Sequence, residues 1–124
     1  MQNYPFYDEA LALTKELVAI PSLNNSEHGE RDIALHIAEW VGSIPYFKEH
    51  PDQLIVQPLK NNDPFNRLNV IAIAFGTRSD SKDTIILHGH MDTVQIDDYG
   101  AIKDYAFDCD ALPEKIKALT DDPE

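Results

Sequence analysis

The chain has 124 residues, enough for one small domain with a real core and too few for two, and its 43% hydrophobic content fits a globular fold. Ten basic residues against 22 acidic ones give a net charge of −12, which argues against nucleic acid or an anionic membrane surface as a partner. A single cysteine, Cys109, excludes an intrachain disulfide, and no stretch approaches the ~20 apolar residues of a membrane span, so a cytoplasmic protein is expected.

The first predicted element is a helix from Asp8 to Ala19, with Ala10, Leu13, Thr14, Leu17 and Val18 on one face, Asp8 as its cap and Pro21 ending it. A polar turn from Ser22 to Gly29 follows. Its His28 reads as a solvated loop residue, as does His50 further on. A second helix is predicted from Glu30 to Ser43, because Ile33, Ala34, Ile37, Ala38, Val41 and Ile44 form an apolar stripe, closed by Pro45. His36 lies off that stripe and is expected to face solvent, whereas Trp40 borders it and is read as packing. Tyr46 to Pro51 reads as a short connection. Leu54 to Leu59 then reads as a strand, left through the turn signal Lys60-Asn61-Asn62-Asp63-Pro64. Asn69 to Phe75 is an almost unbroken apolar run of the kind buried on both faces, a central strand, and Thr84 to Leu87 is the next strand. Beyond Val94 the aspartates 97, 98, 104, 108 and 110 read as solvated loop charge, since no regular Asp-x-Asp ligand loop is present. Leu112 to Leu119 reads as a short helix with Pro113 at its first position, and 120–124 as loop. Helix, helix and three strands make an α/β layout whose helices cover the sheet.

The chemistry sits where that last strand ends. His88, His90 and Asp92 recur at every second residue, so in an extended chain they point the same way, with a step of about 6.5–7 Å between them. Three readings are open. The cluster can be a structural feature hydrogen-bonded to loop backbone. It can open a dinuclear hydrolase motif of the metallo-β-lactamase type, although that pattern continues with a His where Thr93 stands. Or only His90 and Asp92 act, the carboxylate accepting the hydrogen bond from the second ring nitrogen of a metal-bound imidazole.

Leu87-His88-Gly89-His90-Met91-Asp92-Thr93-Val94 resembles the first signature of the zinc-dependent exopeptidase and deacylase family that includes acetylornithine deacetylase, succinyl-diaminopimelate desuccinylase and glutamate carboxypeptidase. Leu17-Val18-Ala19-Ile20-Pro21-Ser22 and Gly29-Glu30 are similar to that family's opening helix and turn. With Asn69-Val70-Ile71-Ala72, Tyr105-Ala106-Phe107-Asp108 and Ala111-Leu112-Pro113, the chain looks most like the RocB branch, associated with arginine utilisation. Cys109 stands where that branch pattern has Pro.

The resemblance implies the N-terminal portion of a three-layer α/β/α catalytic domain and a site of two zinc ions sharing a bridging carboxylate and water. It implies His90 as ligand of one zinc and Asp92 as the catalytic carboxylate that orients its imidazole, with no role for His88. The substrate class would be a small peptide or N-acyl amino acid cleaved at its amide bond. The family's bridging Asp in a Gly-Arg-Gly-x-x-Asp context, its Glu-Glu pair, its last ligands and its lid or dimerisation domain have no counterpart here. One protein ligand cannot hold a catalytic zinc, which ordinarily takes three plus water. The expectation is therefore an incomplete catalytic domain, inactive alone and prone to self-association through exposed core surface. The alternative is a stand-alone, non-catalytic remnant that acts as an interaction module through a bare sheet edge.

Overall fold

A computed structural model describes residues 4–60, 62–78 and 80–120. Helix α1 spans Tyr7–Val18 and α2 spans Gly29–Ser43, close to the predicted bounds. The cap of α1 differs from expectation: Phe6 occupies it in the left-handed region at φ 67°, and Asp8 lies inside the first turn, where its charge favours the positive end of the helix dipole. Pro45 does not simply close α2. It starts a one-turn helix, α3 (Pro45–Glu49), as its fixed φ suits a first helical position.

Strands β1 (Leu54–Pro58) and β2 (Leu68–Ala72) pair antiparallel, with Leu54 opposite Ala72 and Pro58 opposite Leu68. The connecting turn carries Asn62 and Asn66 at φ 52° and 50°, the left-handed conformation that asparagine tolerates well. Asn61, part of the predicted turn signal, lies outside the described residues, as does 121–124. Helix α2 packs across both strands and over a smaller area on α1. The core is small: among the described residues Ile33, Ala34 and Leu68 are the buried apolar side chains. Contrary to the solvent-facing position expected of it, His36 is part-buried between the helices, its Nε2 2.8 Å from Glu16 Oε1 on α1.

Two sequence expectations are corrected here. The run from Asn69 to Phe75 is not a central strand buried on both faces. β2 pairs on one side only, and Ile71, Ile73 and Phe75 stay exposed. The predicted strand from Thr84 to Leu87 does not form either: Ile85, Ile86 and Leu87 are 87%, 83% and 92% exposed and belong to no ladder. Their β-branched, apolar character suits a strand, but a strand exists only when a neighbour takes its backbone groups, and among the described residues none does. The total accessible surface is 10263 Å². A compact monomer of 14.0 kDa would expose roughly 6,700 Å².

After the motif the chain turns through short 3-10 segments over Asp97–Tyr105, kinked at Gly100, whose φ 53° and ψ −122° suit glycine. Helix α4 (Ala111–Thr120) follows, and Pro113 sits in its first turn, two residues later than predicted. Two of the late aspartates have structural work. The Asp108 carboxylate accepts hydrogen bonds from the Asp110 and Ala111 amides at 3.0 and 2.8 Å, and these hold its pKa below the usual carboxylate value. Asp110 pairs with Lys15, tying the head of α4 to α1.

Candidate functional site

The His90–Asp92 segment owes its place to the turn between α1 and α2. Pro21 breaks the first helix and Ser22, 1% exposed, passes under the motif. The Thr93 amide donates to Ser22 O at 2.8 Å and the Asn24 amide to Thr93 O at 2.9 Å, a single parallel bridge between Leu23 and Thr93. The Gln95 side-chain amide adds bonds to Asn24 O and Oδ1 at 2.9 and 3.1 Å. The turn itself is folded tightly: Ser26 Oγ donates to Leu23 O and accepts from the Gly29 amide at the first residue of α2.

On this support His90 Nδ1 lies 3.0 Å from Asp92 Oδ1 and 3.0 Å from the Asp92 carbonyl oxygen. Both neighbours are acceptors, so in the neutral ring Nδ1 carries the proton and donates. That leaves the lone pair on Nε2, on a side chain that is 83% exposed against 39% for Asp92. His88 is exposed and has no contact that brings it to this pair.

A charged group that the sequence reading did not single out stands nearby. Arg67 donates to Asp63 from its backbone, Nε and Nη2 at 2.6, 3.0 and 2.8 Å, and Nη1 lies 3.8 Å from Glu30 Oε1. The Arg67 guanidinium is raised above its ordinary value, first by the Asp63 hydrogen bond and then by the charges of Asp63, Glu30 and Asp92. Asp63 is lowered from its ordinary 3.8, chiefly by the Arg67 side-chain hydrogen bond. Its ionised form is thus the one the fold favours. The stability this contributes is present above the unfolded value and lost as pH falls through the lower folded one. An acid titration followed by circular dichroism should therefore show destabilisation beginning near pH 3.8 and continuing below it, and Asp63→Asn should reduce that pH dependence. The only sequence signal for the network was the Asp-x-x-x-Arg spacing of residues 63 and 67. Glu30 Oε2 is buried without a hydrogen-bond partner.

The motif also walls an open, mainly apolar groove of about 570 Å³, which Leu17 and Val18 of α1, Ile33 and Ile37 of α2, and His90 and Asp92 line. That volume is within the usual range of small-molecule sites. For a metal the donor set is short. Among the described residues no three His, Cys, Asp or Glu side chains are gathered where they could hold an ion. The imidazole Nε2 and one carboxylate do not fit a catalytic zinc, which needs three protein ligands.

No family model matches the chain, and no solved structure does. Two curated proteins of Bacillus subtilis (strain 168) are similar to it. Protein RocB is 44% identical over 103 residues, which take in 83% of this chain and 18% of RocB. The uncharacterized protein YqjN is 33% identical over 104 residues, 84% of this chain and 18% of YqjN. The chain is thus RocB-like, and it spans 18% of the length of each of these relatives. None of the described helices is long and apolar enough to cross a membrane.

Proposed function

We propose that this chain supplies one metal-ligand arm of a zinc-dependent amidohydrolase related to RocB, which cleaves the amide bond of a small peptide or N-acyl amino acid. The observation that carries the reading is the His90–Asp92 pair: a carboxylate holds the Nδ1 proton, and the exposed Nε2 is left as a free donor atom. The two zinc ions of such an enzyme would polarise the amide carbonyl and generate hydroxide. Of that apparatus this chain offers the His90 ligand and the Asp92 carboxylate that orients it. The remaining ligands and the general base lie outside the described residues, so the chain alone is inactive. The resemblance to the RocB branch supports a place in arginine utilisation, and the lone thiol of Cys109 supports the cytoplasm.

A chimera tests the reading. This chain replaces the matched segment of Bacillus subtilis RocB, and the product is assayed for bound zinc and for hydrolysis of N-acyl amino acids. The expected result is zinc retention and amide hydrolysis, both lost in His90→Ala. In Asp92→Asn zinc should be held ~10–100-fold more weakly, the usual cost of losing the group that orients a ligand. A folded chimera that binds no zinc would favour the non-catalytic interaction module.

A further inference from the structure

The groove beside the motif is graded from a wet mouth to a dry floor. His90 stands at the mouth with its side chain 83% exposed, Val18 is partly exposed beside it, and Ile33, 7% exposed, lies at the floor. Val94, Ile96 and Phe107 continue the apolar wall from the chain after the motif. Among the described residues no lysine or arginine lines the groove, and the carboxylate in its wall is that of Asp92. The nearest cations are committed elsewhere, Lys15 to Asp110 and Arg67 to Asp63 and Glu30. Thr14 turns its hydroxyl back on its own helix, donating to Ala10 O at 2.7 Å. An anion that entered would lose its hydration, meet a like charge and find no counter-charge. An uncharged hydrocarbon group would only exchange water for apolar contact.

We propose that this groove is an acyl subsite, which takes the uncharged hydrocarbon chain of an N-acyl amino acid and rejects an acidic acyl group such as succinyl. The inference rests on the proposed function, which puts the scissile amide at His90. An N-acyl amino acid offers two ends to the groove. Its amino acid end carries an α-carboxylate, which Asp92 repels and no lining residue pairs. Its acyl end carries only the chain. The acyl end is therefore the one that enters, with its carbonyl at the mouth by His90 and its chain running down toward Ile33. The amino acid end stays outside, in water, where its charge remains solvated.

The test is a binding series on the metal-free 124-residue chain, followed by amide NMR shifts, with N-acetyl-, N-butanoyl-, N-hexanoyl- and N-octanoylglycine and with N-succinylglycine. Affinity is expected to rise about two- to fourfold with each methylene of the acyl chain. N-succinylglycine should bind ~10-fold or more weakly than N-butanoylglycine, which has the same number of acyl carbons. The shifts should centre on Leu17, Ile33 and Val94. Val18→Trp fills the mouth from a partly exposed position and should remove the dependence on chain length, whereas Val56→Trp, equally exposed on β1 and outside the groove, should keep it. Thr14→Trp, one turn earlier on α1, makes the same test if circular dichroism shows Val18→Trp unfolded. Three results would overturn the proposal: affinity flat with chain length, N-succinylglycine matching N-butanoylglycine, or a length dependence that survives filling of the mouth, which would place the binding on other apolar surface. No metal enters this series, so the two readings fail separately. A RocB chimera without hydrolysis beside an intact length dependence removes the hydrolase alone. Hydrolysis by the chimera beside a flat series removes the acyl subsite alone.

Discussion

Gly29→Ala is expected to lower the stability of the chain by about 2 kcal/mol, within the range for forcing extra atoms into a packed site. A Cβ at Gly29 would stand 2.4 Å from Ser26 Oγ, 2.6 Å from Pro21 O and 2.9 Å from Leu23 N. The serine could rotate away, but it would then abandon its bond to the Gly29 amide. The other two atoms are backbone and belong to the segment that carries the bridge to Thr93. The effect therefore reaches the site: urea denaturation should show the lost stability, and the Thr93 amide, bonded to Ser22 O, should exchange faster. Ser26→Ala, which removes the hydroxyl and leaves the backbone untouched, should cost only about 1 kcal/mol. The double variant should not recover stability, because the backbone clash remains. A neutral Gly29→Ala would mean that the turn is free to open and does not position the motif.

Leu68→Ala is expected to cost about 3 kcal/mol, the middle of the range for a buried leucine. Leu68 opens β2 and is one of three buried apolar side chains among the described residues, with Ile33 and Ala34 of α2. Domains have only about 5–15 kcal/mol of net stability, and a core this small places the chain at the low end. The expected consequence in a urea titration is a midpoint displaced by roughly 1–3 M toward lower urea, with only about 2 kcal/mol of net stability left in water. A conventional sigmoidal curve displaced by a few tenths of a molar would show that stability resides elsewhere, in the polar tethers between helices.

The helices were legible because their signals are local. The stripe from Ile33 to Val41 and the breakers Pro21 and Pro45 fix α2 to within a residue, and the run from Leu54 with its asparagine-rich turn gives β1 and the turn that follows it, whereas the antiparallel pairing with β2 is seen only in the structure. Thr84 to Leu87 was not legible in the same way, although its composition is the strongest strand signal in the chain. Strand character is a preference for a pleated, covered surface, and whether the segment pairs depends on polypeptide that periodicity does not reveal. At the site, the two-residue spacing of His90 and Asp92 gave the pair, and the structure brings His90 Nδ1 to 3.0 Å from Asp92 Oδ1. Arg67 and Glu30 escaped notice because each comes from a different element and they meet only in three dimensions. The same holds for Asp108, whose role as acceptor for the amides that open α4 was hidden in a cluster of aspartates without periodicity.

The central claim is that this chain holds one ligand of a metal site, with the carboxylate that orients it, and not a whole site. The direct measurement is a calorimetric zinc titration of the 124-residue chain at neutral pH, repeated on His90→Ala. The account predicts weak binding without a stoichiometric endpoint, and little difference between the two proteins, since an imidazole beside one carboxylate is short of the three ligands a zinc site requires. Tight binding of one zinc per chain, abolished by His90→Ala, would contradict it and show that a complete site assembles within these residues.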